Sequence, residues 1–222
     1  MKTRVLGVGL AGVAVIGLAL ACEKGSPTSA LAASKVSGIS ASAEASTDEQ
    51  KVRWDIISID FSVTPHPVTA GGVASALAND GSKITLTGSG TFRSNAGNPQ
   101  DVTGGGTWHT FASGGASTGS GTYQVTGLDR FVVAPGTPPT TNLDRIGTAA
   151  DARAGLVFLR VAYSDGSRGV LAVSCHLVGT PDAVFEGVTA SKGFVAFWNR
   201  MAPSGTVDAN RTVFHVINEE ED

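Results

Sequence analysis

The chain has 222 residues, of which 41% are hydrophobic and 16% charged, with a net charge of -3. Acids outnumber bases and no run of Lys or Arg occurs, which excludes nucleic acid as a partner class. Two cysteines are too few for a disulfide framework.

Lys2 and Arg4 precede 17 uncharged residues, Val5 to Ala21. That stretch falls short of the ~20 residues a spanning helix needs and is rich in small residues, so residues 1–21 are expected to be a signal peptide. It ends in "LALAC", which resembles the lipobox of bacterial lipoproteins although Leu20 stands second rather than third before the cysteine. The resemblance implies a lipid on Cys22 that anchors the protein to a membrane. "ALA" also suits ordinary secretory cleavage before Cys22, which would leave a secreted or periplasmic protein. Glu23 in place of Asp after the cysteine points to the outer membrane or cell surface. Loss of Lys2 and Arg4 leaves 14 basic against 19 acidic residues, a net charge of -5.

From residue 22 to about 50 the chain is Ser, Ala, Thr and Gly with scattered charge. Such a segment buries too little apolar surface to offset the entropy of ordering it. It reads as a flexible tether with a reach of roughly 30 Å. Residues 51–218 form the folded domain, and the terminal "EEED" of 219–222 reads as a solvated acidic tail.

Within the domain the hydrophobic period is two. "RWDIISIDFSV" puts Ile57, Ile59, Phe61 and Val63 on one face and Trp54 and Ile56 on the other. "KITLTGSGTF", "DVTGGGTWHTF" and "TGSGTYQVTGLDRFVV" follow as strands, and "GLVFLRVAYSDGSRGVLAVSCHLVG" reads as a hairpin turning at "SDGS". "AVFEGVT" and "TVFHVIN" complete the set, and "NDG" marks a further turn. "SKGFVAFWNRM" (191–201) has both helical spacing and strand-forming residues, and is read as strand with helix the alternative.

Three units share a pattern: "GSGTF" at 88–92, "GGGTW" at 104–108 and "GSGTY" at 119–123. Each places two glycines and a ring on one face of its strand. Glycine in a strand interior costs stability, and the repeated bend points with rings covering bare backbone are what a closing sheet requires. The expected fold is therefore all-β, a single antiparallel β-barrel, with a two-sheet β-sandwich as alternative. "GGGT" is followed by a strand and not by the helix and lysine of a phosphate loop, and no other cofactor motif occurs.

Cys175 and His176 are adjacent in an apolar run but point to opposite faces of a strand, so they form no dyad with each other. Cys175 shares its face with Leu171, Val173 and Leu177 and is expected to be an inert core thiol. His109, His176 and His215, each on a strand, and Asp60, among apolar neighbours, are the candidate ligand-binding residues. Convergence of the three histidines on zinc is conceivable, but no pair has ligand spacing, so neither a metal nor a catalytic set is assigned. Asp129 with Arg130 and Asp144 with Arg145 read as turn-end ion pairs.

The run "VSCHLVGTPDAVFEGVTASKGFVAFWNR", with "VTGGGTWHTF" and "GSGTYQVTGL" upstream, resembles a group of uncharacterised exported bacterial proteins across nearly the whole domain. That resemblance implies export and no particular activity. The glycine and aromatic repeats also resemble those of dirigent and allene oxide cyclase barrels, which implies a barrel and transfers no catalytic residue. The expected function is a non-enzymatic binding or structural module of the cell envelope, with a small apolar ligand or an envelope protein as its partner. The alternative is a barrel enzyme, a cyclase, isomerase or metal-assisted hydrolase, using His or acid side chains inside the barrel.

Overall fold

A computed structural model of the chain describes residues 50–94, 101–204 and 210–218. The leader, the lipobox cysteine, the tether and the acidic tail lie outside the described residues. No α-helix occurs among those described; fourteen strands belong to one hydrogen-bonded sheet. They are β1 (Lys51–Ile59), β2 (His66–Ala70), β3 (Ala74–Leu77), β4 (Lys83–Leu86), β5 (Ser89–Arg93), β6 (Gly105–Phe111) and β7 (Ser117–Ala134), followed by β8 (Asn142–Asp144), β9 (Ala152–Tyr163), β10 (Arg168–Cys175), β11 (Gly187–Lys192), β12 (Val195–Phe197), β13 (Asn199–Arg200) and β14 (Arg211–Ile217). The segment 191–201 is thus extended, turning at Gly193 with φ +58°.

Six strands close a ring. β9 pairs with β14, β14 with β1, β1 with β5, β5 with β6, β6 with β7, and β7 returns to β9, all antiparallel. The fold is a closed antiparallel β-barrel and not a sandwich. The remaining strands extend it. β10 and β11 continue from β9, β4 and β3 from β6, and the segment 195–200 bridges them, since β12 pairs β11 while β13 pairs β3.

The interior is filled. Val52, Trp54 and Ile56 of β1, Phe92, Trp108, Tyr123, Leu159, Val161 and Phe214 are at most 5% exposed. The rings of Phe92, Phe131 and Phe214 meet edge to face at 4.9 to 6.4 Å. Cys175 is free and buried in this core. The glycine units are what admits the rings: Trp54 lies over Gly88, Gly90 and Gly104, and Trp108 over Gly119 and Gly121. A methyl group at Gly90 would come within 2.6 Å of the Gly104 Cα and 2.8 Å of Trp54 Nε1.

β1 is apolar on both faces because both are covered. Its even residues face the barrel, and Ile57 and Ile59 face outward into a smaller cluster with Val68, Ala152 and Val213. An outer layer covers this cluster. β2 pairs with the end of β1 at 57–59, and β8 runs parallel to β2.

Candidate functional site

The site lies between the barrel wall and this outer layer, not inside the barrel. Outward residues of β1 and β14 supply its floor: Ile57, Ile59, Arg211 and Val213. Val68 of β2, Asn142 and Asp144 of β8, Pro138 and Pro139 line the opposite side, and His176, Leu177 and Glu186 close one end. The free space is narrow, about 80 Å³. That is about half the ~150 Å³ of an apolar cavity that takes one benzene ring, so it admits a slim chain and not a ring, and it is far below the several hundred Å³ of a site for a drug-sized molecule or nucleotide cofactor.

Glu186 sits where the sheet forks. One edge of β9 pairs with β14 at residues 152–153 and with β10 from residue 155 onward, so the two strands splay apart there. Backbone groups at such a fork lose their ladder partners. Glu186 replaces them: Oε2 accepts the His176 N–H and Oε1 the Thr212 N–H, both at 2.6 Å. Thr212 Oγ1 also donates to the Ser174 carbonyl, and Ser174 Oγ to that of Phe185, each at 2.6 Å. Burial pushes the Glu186 carboxyl up to about 8, against the opposing pull of the two N–H donors and Arg211.

His176 Nδ1 lies 2.7 Å from the Val184 carbonyl oxygen. A carbonyl only accepts, so Nδ1 carries the proton, and in the neutral ring Nε2 keeps its lone pair. His176 and Glu186 also line a second hollow with Asp182 and Arg200, so they form the partition between two recesses.

At the other end His215, 3% exposed, donates from Nε2 to Asp144 Oδ2 at 2.7 Å. Asp144 Oδ1 accepts the backbone N–H groups of Ile146 and Gly147. Burial works against the Asp144 carboxylate, but these donors prevail and its pKa lies below the usual value. The pair therefore ties the outer layer to the barrel wall. Beside it Arg53 grips buried Asp55 through two bonds of 2.7 and 2.9 Å.

Arg211 is the unmatched charge. It makes no ion pair among the described residues, its Nε is buried without a hydrogen-bond partner, and its guanidinium lies 5.4 Å from the Phe61 ring centroid.

Of the residues singled out in the sequence, His176 lines the cleft and His215 stands behind Asp144. His109 does neither: it stacks on Phe111 at 4.1 Å and bonds Ser117 Oγ on the outer face of β6. Asp60 is not a buried pocket acid but an exposed residue just past β1, where its Oδ1 accepts from the backbone and hydroxyl of Ser62. Asp144 bonds His215 rather than pairing with Arg145, and Asp129 pairs with Arg160 rather than Arg130. Cys22 lies outside the described residues. Among those residues no group of three or more His, Cys, Asp or Glu is placed to hold a metal ion.

Glu186 and Arg211 went unnoticed in the sequence. Glu186 is a lone acid within "AVFEGVT", and Arg211 shares a strand face with Val213 and His215, yet the fork that makes them matter depends on contacts far apart in the chain. No protein-family model, no curated protein and no solved structure matches this chain.

Proposed function

We propose that this protein is a binding module for a small apolar ligand, held at the cell envelope through a lipid on Cys22. The observation that carries the reading is the cleft itself: an apolar recess outside a filled barrel, roofed by a layer tied down at Asp144 and His215. The polar atoms around it favour binding over catalysis, because both Glu186 oxygens and both Asp144 oxygens are engaged in bonds that hold the wall. A barrel enzyme would need its histidines and acids in the interior, where Trp54, Phe92 and Phe214 are packed.

The test uses the full chain expressed with its leader. It should fractionate with membranes and move to the soluble fraction in Cys22→Ala. Titration of detergent-released protein with 1-hexanol should shift the methyl resonances of Val68 and Val213, with a dissociation constant near 1 mM; a buried six-carbon chain gains roughly 4 kcal/mol. Ala149→Trp, which fills the cleft from an exposed lining position, should abolish those shifts. Equal shifts in both proteins would remove the cleft as the binding site.

A further inference from the structure

The cleft holds one charge, Arg211, that forms no ion pair among the described residues. An arginine stays charged at every physiological pH and presents five N–H donors in a rigid fork. Arg211 lines an apolar recess, its buried Nε–H has no acceptor, and it forms no ion pair among the described residues. A buried donor left unpaired costs about 1 to 3 kcal/mol; Trp54 Nε1 in the barrel core is another such donor, but of the two only that of Arg211 belongs to a residue lining the cleft.

The neighbouring acids do not fill that role. Glu186 lies near enough for Arg211 to influence its titration, but its two oxygens are directed at the His176 and Thr212 backbone. Asp144, the other acid of the lining, is bonded to His215 and to two backbone N–H groups. The Phe61 ring offers the guanidinium only a face at 5.4 Å.

We infer that the ligand of this cleft is a monocarboxylate, its head seated on Arg211 and its slim apolar body lying along Ile57, Ile59, Val68 and Val213. A guanidinium and a carboxylate match in plane and spacing, and charge-assisted bonds of this kind are roughly twice as strong as neutral ones. The narrow cleft limits the body to a single slim chain. The inference rests on the binding reading above and adds the chemistry of the head group.

The experiment compares hexanoate, 1-hexanol and hexylamine on the full-length protein at pH 7, read by the Val68 and Val213 methyl shifts. Hexanoate should bind at least about tenfold more tightly than 1-hexanol, and hexylamine more weakly than either. Arg211→Met should erase the preference, so that hexanoate binds no more tightly than 1-hexanol to the same variant. Arg211→Lys, which keeps the charge without the fork, should fall between. Equal affinity of acid and alcohol in the unmodified protein, or a hexanoate preference that survives Arg211→Met, overturns the carboxylate assignment and leaves the apolar site standing. Failure of all three probes overturns the binding reading itself. Should Arg211→Met lose 1-hexanol as well, the unmodified protein's ranking of the three probes and Arg211→Lys decide.

Discussion

Cys175 is enclosed by core side chains, and burial, with Glu186 adding its negative charge, holds the thiol well above its ordinary pKa. Only the thiolate reacts, so folded protein should leave this sulfur untouched. A thiol-specific chromogenic disulfide added to the Cys22→Ala chain should register no free thiol before denaturant and one after it; prompt native labelling would contradict the buried assignment. Cys175→Ala should cost about 1 kcal/mol and Cys175→Ser more, because the hydroxyl needs a partner the core lacks. This residue was legible beforehand because strand alternation separates it from His176 and groups it with Leu171 and Val173. Asp60 was not, since its neighbours alternate correctly only as far as Ile59, where β1 ends and the chain turns. The fate of a polar residue at a strand end depends on where pairing stops, and pairing is not a local property.

At the scale of the element, the glycine-bearing strands show what a narrow barrel demands. Bulky rings fit inside six strands only where the facing backbone carries no side chain, which is the relation of Trp54 to Gly88, Gly90 and Gly104. The strand face common to glycines and rings could be read from spacing alone. The break at 87–88 could not: "KITLTGSGTF" reads as one strand, whereas β4 passes into β5 there and its neighbour changes from β3 to β1. What spacing does not reveal is the second layer: β1 displays apolar residues on both faces, and only the pairing of β2 and β8 explains the outer one. Gly90→Ala tests the close-packing argument. Its added methyl would meet backbone rather than a movable side chain, so a loss of about 2 to 3 kcal/mol is expected in denaturant unfolding. Gly114→Ala, in the turn before β7 with nothing within 4 Å, should stay within about 0.5 kcal/mol. Similar costs for the two would show that backbone entropy, not contact, sets the glycine requirement.

For the whole molecule, the fork between β10 and β14 is where the barrel and its extension meet, and Glu186 spans it with two backbone bonds. This placement makes global stability depend on pH in a direction opposite to that of most carboxylates. The ordinary glutamate value is 4.5, whereas the folded protein holds the Glu186 proton to about 8. Between those values the folded state binds more protons than the unfolded state, so the free energy of unfolding declines as pH rises, by up to about 1.4 kcal/mol per unit, and levels off above 8. The carboxyls of Asp60, Asp80, Asp144 and Asp165 are held low and act in the opposite sense, but only below about pH 4. Thermal unfolding followed by circular dichroism should therefore give a Tm that is highest near pH 5 and falls steadily toward pH 8. In Glu186→Gln the amide keeps one acceptor and sets an N–H group against a backbone donor, so that variant should be less stable at pH 5 by about 1 to 2 kcal/mol and should show no decline through this window. A Tm that climbs between pH 5 and 8, or a decline that persists in Glu186→Gln, would mean that another group titrates and that the carboxyl at the fork keeps its charge in the folded protein.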